Sequence, residues 1–289
     1  MGTSTKEASL TKASNSTSKT SVPIRGLKQR GRMSLSDAVT KAKPIKDNIW
    51  LYGQPGIGKT SLLAAMPDVF VIVTSKESGL NKLIDRGRVG EIPHTPPVET
   101  WEDFWSVIQE LAGGDHPYGM VAIDSITDIA EMAKDYIVRT EYDGCLTKYG
   151  SSWGVGTSKY KALLGKAMDL FFVMNHRDKS VGVIMTSGAE AQRRNDPQAG
   201  EYNQWGPQIE KNAYELFSKG FDMILFLRHD AQVDRDGRAV AGTTRVLYTE
   251  GDNTFIAKNR HGLPRYIPLG LSGDEACANL GKAIVAAKK

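Results

Sequence analysis

The run Gly53-Gln54-Pro55-Gly56-Ile57-Gly58-Lys59-Thr60 constrains this chain more than any other stretch of it. It fits G-x-x-x-x-G-K-[ST], and each position has a physical task. Glycines let the backbone curl until several N–H groups point at one anion, a path that Cβ atoms obstruct. A helix starting at the end of such a loop turns its positive dipole end toward the same anion. Lys59 reaches the outer oxygens of a polyphosphate, the Thr60 hydroxyl serves Mg²⁺, and Ser61 completes the expected binding set. The loop needs an apolar strand before it and a helix after it. Residues 48–52 read as the strand, and residues 60–66 as the helix, which Pro67 stops.

A Mg²⁺ shell around phosphates calls for a carboxylate. Met120-Val121-Ala122-Ile123-Asp124 is an apolar strand ending in an acid. It is expected as the neighbour of the loop strand, with Asp124 as the metal partner of Thr60. The alternative is a helix N-cap, because Ser125 and Thr127 follow. Guanine-selective switches carry N-K-x-D, whereas Asn81-Lys82-Leu83-Ile84 lacks the acid, so ATP is the expected nucleotide. Hydrolysis needs a group that orients or deprotonates water. Glu77, just past an apolar strand at residues 69–74, is the best-placed acid; the alternative is a surface glutamate beside Lys76.

Beyond the loop, apolar residues recur at helical spacing over residues 101–111, 125–138 and 158–174, the last with Tyr160, Leu163, Leu164, Ala167, Phe171 and Met174 on one stripe. Residues 181–186 and 221–227 read as further buried strands. The period then shifts toward two, through residues 232–233, a turn at Asp236-Gly237 and residues 243–248, and residues 274–287 form a final amphipathic helix. The predicted fold class is therefore α/β, with a mostly parallel central sheet, helices on both faces and an antiparallel β-meander at the C-terminal side.

The totals bound what else the chain can be. Its 289 residues, 40% hydrophobic and 24% charged, suit one large globular α/β domain or two small ones. No apolar run approaches the ~18 residues of a membrane span, and the N-terminus has no apolar secretory segment. Cys145 and Cys277 lack metal-ligand partners at short spacing, which points to a reducing cytoplasm and against a disulfide or zinc framework, and no membrane partner is expected. The net charge of +4 hides an asymmetry, because residues 1–47 hold ten Lys/Arg against three acids and the rest is slightly acidic. Nucleic-acid binding must therefore be argued from local patches. Residues 1–34 read as a disordered basic Ser/Thr-rich tail, ending in a linker with Arg25, Lys28, Arg30 and Arg32 that is either solvated or an arm for phosphates or a neighbouring subunit. A short helix is expected near Ser34 or Ser36. Residues 35–270 read as the principal domain and 271–289 as a C-terminal helix packed on it or extending from it.

The order of these parts resembles the RecA-like P-loop ATPase core, and within it the AAA-labelled phage nucleotide-binding proteins that include Sak-type recombination ATPases. The resemblance spans about residues 45–270 and rests on the loop at 53–60, Glu77, Asp124-Ser125, Thr186-Ser187 and Lys258-Asn259-Arg260-His261-Gly262. In such families the Lys and Arg of the last run cross a subunit boundary to a neighbour's γ-phosphate, which implies that Lys258 and Arg260 are catalytic and that the chain forms a homo-oligomer or filament. Alternation along an extended segment points both side chains one way; the alternative is an edge strand protected by charge. The resemblance also implies that two loops face single-stranded DNA, here residues 142–156 and 189–207. Their candidates are Lys148, Tyr149 and Trp153 in the first and Arg193, Arg194, Tyr202 and Trp205 in the second, cations for the backbone and rings for the bases. The alternative is that Trp153 and Trp205 anchor the loops to the core, or that one does.

The expected function is a DNA-stimulated ATPase in phage-type recombination or annealing, in the host cytoplasm, with a single-strand-binding or recombination protein as a further partner. Two rivals stay open: a nucleotide-gated, non-catalytic annealing or loading module, and a nucleotide kinase, which would require an Arg-rich lid over an acceptor.

Overall fold

A computed structural model describes residues 45–198, 200–233 and 239–287. The basic tail of residues 1–34, the helix expected near Ser34 or Ser36 and the turn at Asp236-Gly237 lie outside the described residues. Nine strands are described, β1 (Ile49–Gly53), β2 (Val69–Val73), β3 (Met120–Asp124), β4 (Gly182–Ser187), β5 (Ala189–Asp196), β6 (Gly200–Pro207), β7 (Met223–Val233), β8 (Ala239–Tyr248) and β9 (Tyr266–Pro268). The helices are α1 (Lys59–Ala64), α2 (Gly79–Asp85), α3 (Trp101–Gly113), α4 (Ile126–Glu141), α5 (Leu146–Gly150), α6 (Val155–Asn175), α7 (Lys211–Gly220) and α8 (Gly273–Ala287).

Seven strands form one sheet in the order β2-β3-β4-β1-β7-β8-β9. β2 through β7 pair in parallel, while β8 and β9 add an antiparallel edge. Parallel strands bury both faces, and β1 shows how a five-residue strand serves two cores at once. Trp50 and Tyr52 enter a cluster with Phe104, Ile129, Tyr160, Phe171 and Phe217 of α3, α4, α6 and α7. Ile49 and Leu51 enter the opposite cluster with Leu62, Leu63, Leu225, Leu247 and Leu280. That alternation is the period of two expected of strand side chains. The expected α/β architecture, with a mostly parallel sheet, helices on both faces and the antiparallel strands at one edge, is thus the one observed.

Local chemistry sets the helix ends. Thr100 and Asp103 form a reciprocal capping box at the start of α3, and its stripe of Trp101, Phe104, Ile108 and Leu111 is buried. α6 begins three residues ahead of the expected Ser158, because Gly154 takes a left-handed conformation and Ser152 Oγ accepts from the Gly156 amide.

Two expectations need correction. β3 is not the neighbour of the loop strand β1, since β4 lies between them. Residues 189–207 are not an irregular loop; they form the antiparallel hairpin β5–β6, in register from Ala189 opposite Pro207 to Asp196 opposite Gly200. Among the described residues no helix is long and apolar enough to cross a membrane.

Candidate nucleotide site

The parallel register places Gly53 level with Leu227, so the loop leaves β1 at the carboxyl end of the sheet, where Asp124 and Ser187 also emerge. Crevices in open α/β sheets lie at that end. Gly58 caps α1 with φ 104°, a left-handed backbone that suits glycine alone. The Lys59 ammonium folds over the loop and donates to the carbonyls of Gly53 at 2.8 Å and Gln54 at 3.1 Å.

Asp124 is the hinge of the arrangement. It is 3% exposed, and its two carboxylate oxygens are each taken by a hydroxyl. Thr60 Oγ1 donates to Oδ2 at 2.8 Å, and Thr186 Oγ1, at the end of the intervening strand β4, donates to Oδ1. The acid therefore reaches the loop across β4 through two threonines. A further buried layer holds this group in place: Thr74 Oγ1 donates to Asp128 Oδ2 at 2.5 Å, and Ser125 Oγ donates to the same oxygen at 3.1 Å. Ser125, and not Asp124, caps α4, so the acid is left to Thr60 and Thr186 and the N-cap alternative for it does not hold.

Glu77 follows β2 in a tight turn, its amide bonded to the Thr74 carbonyl at 3.0 Å. Burial pushes its carboxyl above the usual glutamate range, the charges of Asp124 and Asp128 push it further, and Lys59 opposes them. Burial likewise holds Lys59 below the ordinary lysine range, with Asp124 and Glu77 pulling it back. Lys59, Asp124 and Glu77 thus share one electrostatic field. Shifts of Lys59 and Glu77 in opposite directions beside the loop make this crevice the candidate site.

The donors fit a polyphosphate with one divalent cation. Loop amides, one ammonium and one hydroxyl–carboxylate pair would hold a polyphosphate with a single Mg²⁺, Thr60 and Asp124 serving the metal. Among the described residues no group of three or more His, Cys, Asp or Glu could hold a metal. Mg²⁺ bound through one carboxylate plus substrate phosphates needs no such group.

The remaining candidates scatter. Lys258 pairs with Ile224 at the start of β7, the opposite end of the sheet from the loop. Its ammonium donates to the carbonyls of Ser218 and Phe221, both at 2.8 Å, closing the end of α7. Arg260 points the same way, to Asp222 at 2.9 Å and the Lys219 carbonyl. Neither side chain reaches its own chain's loop.

The two DNA-candidate segments divide by burial. Trp153 is 99% exposed, with Leu146 and Val155 exposed near it in sequence. Tyr149 is buried against Ile137 and Val138, and Lys148 is paired with Asp143 at 2.8 Å. On the hairpin, Trp205 packs on the main core and its backbone is clamped between Thr254 and Ile256. Arg194 and Tyr202 are cross-strand partners on one face, whereas Arg193 belongs to the other face and pairs with Glu201. Tyr149 is therefore buried, and Trp205 is partly buried against the core, whereas Trp153 stands out in solvent.

Sequence reasoning missed Asp128 and Arg245. The first had a signal, the S-x-x-D spacing of Ser125 and Asp128. The second had none, because its place beside the loop follows from the β7–β8 register.

Residues 45–261 match the profile of a protein family described as an AAA domain. No curated protein matches the chain. Among solved structures it is similar to one reported as a structural and biochemical analysis of a prototypical ATPase from the type III secretion system of pathogenic bacteria, at 15% sequence identity and a TM-score of 0.42. That likeness covers 66% of this chain and 53% of the other, so the chain spans about half the length of that structure.

Proposed function

The chain belongs to the AAA domain family, and on that footing we propose that it binds ATP with Mg²⁺ at residues 53–61 and hydrolyses it to ADP and phosphate. The observation that carries this reading is the meeting of Thr60 and Asp124 at 2.8 Å beside Lys59 and Glu77. Each residue has a part. The loop amides and Lys59 bind the phosphates, Thr60 and Asp124 would hold Mg²⁺, and Mg²⁺ when bound would neutralise charge on the phosphate oxygens. Glu77 orients and deprotonates the attacking water, and Thr186 keeps the Asp124 carboxylate turned toward Thr60. Equilibrium binding of labelled ATP in magnesium buffer tests the first part. Wild type should bind, and Lys59→Ala should lose about a hundredfold in affinity; equal binding by both rejects the site.

The finer reading is a homo-oligomer or filament on single-stranded DNA, acting in phage-type recombination or annealing. It is supported by the separation of Lys258 and Arg260 from their own loop, which leaves a neighbour's loop as their target, and by the exposed ring of Trp153. Arg260, half exposed, is the better placed of the two to act across a boundary, while Lys258 is engaged with the end of α7. Filter retention of single-stranded DNA at low salt, with and without ATP, is the test. Retention that ignores ATP removes this reading and leaves the nucleotide site standing.

A further inference from the structure

Arg245 lies on β8 opposite His229, two positions past the level at which β1 gives way to the loop. Its guanidinium is held from behind. Nε donates to the Gly270 carbonyl at 3.0 Å, and Nη2 donates to the Ser272 carbonyl at 3.1 Å. The remaining nitrogen, Nη1, faces the phosphate loop so closely that a Cβ on Gly58 would sit 2.2 Å from it. Among the described residues no carboxylate pairs with Arg245. A half-buried guanidinium with its free edge on an anion-binding turn is a donor awaiting an anion.

The segment that holds it is also fixed to the loop helix. Residues 270–272 lead into α8, and Gly273 abuts α1 so tightly that a Cβ there would lie 2.3 Å from the Ser61 carbonyl. Leu271, between the two carbonyls that grip the arginine, is 82% exposed, and its amide donates to Glu275 Oε2 at 2.9 Å. Arg245 therefore touches both the phosphate loop and the strap that joins β9 to α8.

We propose that Arg245 is a polyphosphate-recognition residue of this site, and that through the strap at residues 270–272 it couples nucleotide occupancy to the seating of α8. The inference rests on the reading of residues 53–61 as the nucleotide site and adds a residue that no phosphate-loop motif contains. With an anion in the loop, Nη1 gains a charge-assisted bond, and the guanidinium is fixed on three sides instead of two. The strap then loses freedom, and α8 is held more firmly against α1.

The test uses the full chain in four forms: wild type, Lys59→Ala, Arg245→Gln and Arg245→Lys. Binding of ATP and of inorganic tripolyphosphate is measured by titration, and amide hydrogen exchange of residues 270–276 is followed with and without ATP. Arg245→Gln should bind both ligands about ten- to a hundredfold more weakly, the worth of one charge-assisted bond. ATP should slow exchange at residues 270–276 in wild type and leave it unchanged in Arg245→Gln. Arg245→Lys, which keeps the charge and supports the fold if the glutamine variant does not, should bind at an intermediate level with weaker protection. Wild-type affinity for both ligands in the folded arginine variants, with Lys59→Ala defective, overturns the inference and leaves the site reading intact. A loss for ATP with none for tripolyphosphate overturns phosphate recognition. Failure of wild type itself to bind either ligand overturns both readings together.

Discussion

Thr186 gives its hydroxyl proton to the one oxygen of Asp124 that Thr60 does not use. The acid is buried, so each of these bonds replaces water that the carboxylate has lost. Thr186→Val keeps the shape and removes the donor. Leaving a buried carboxylate oxygen unsatisfied costs about 1–3 kcal/mol. The melting temperature should fall by about 3–8 °C for a domain of this size, and Mg²⁺-dependent ATP binding should weaken with it. A melt indistinguishable from wild type would show that the bond contributes nothing.

Lys59 should trade stability for binding. Its folded-state pKa lies below the ordinary value because of burial, so the charged form is disfavoured in the fold at every pH below the unfolded value, neutral pH included. Lys59→Met should therefore raise the melting temperature without nucleotide by about 1–3 °C and abolish the further rise that ATP produces in wild type. Thermal melts with and without Mg-ATP check both signs.

Glu77 has its carboxyl pushed above the usual range by burial and by Asp124 and Asp128. For an acid raised in this way, the protonated form is the one the fold prefers, so its ionisation costs stability as pH rises through the ordinary glutamate value to the shifted one. Turnover needs the ionised form. Hydrolysis should thus climb with pH through a point above the ordinary value while ATP affinity barely changes. Glu77→Gln should keep ATP binding, lose at least about a hundredfold in turnover and melt slightly higher at neutral pH. Hydrolysis that persists in this variant would transfer the base role elsewhere, whereas equal and negligible rates in the variant and wild type would favour the non-catalytic reading.

Two tryptophans should part company. Trp153→Ala removes a ring that touches almost nothing and should shift stability by no more than about 0.5 kcal/mol while weakening single-strand binding about tenfold, as loss of a stacking platform would. Trp205→Ala should destabilise the fold by about 2 kcal/mol or more. Denaturant melts and anisotropy with a labelled oligonucleotide separate the two.

Arg260→Ala should lower turnover in the assembled state and leave ATP affinity intact, since its own loop is out of reach. Mixing it with Lys59→Ala should restore partial activity if one chain's arginine serves another chain's loop. Lys258→Ala should act mainly on stability, by exposing the carbonyls of Ser218 and Phe221.

The loop and its acid were legible because their chemistry is local. A glycine-rich turn between an apolar strand and a helix, and an apolar strand ending in Asp124, each occupy a few consecutive residues. The long stripes of α3 and α6 were legible for the same reason. Residues 189–207 carry no comparable signal. Their outward and inward faces are both polar, Arg193 and Asn203 on one side and Gln192 and Gln204 on the other, because the hairpin leans on the core only near Ala189 and Trp205. Strand order was not legible either, since the insertion of β4 between β3 and β1 is a matter of how crossovers wind. Arg245 is the clearest case of a site residue fixed by register: it reaches Gly58 only because β8 pairs antiparallel with β7 and so turns back over the loop.

The seat of α8 on α1 has a temporal side. A nascent chain makes the loop at Lys59 long before it makes Gly273, Ala276 and Leu280, which later close over Leu62 and Leu63. Until then the phosphate turn stands unbraced on one flank. Affinity for nucleotide should accordingly arrive late in synthesis, with the closing helix, and an early ribosome-bound fragment should hold ATP poorly even though its binding motif is complete.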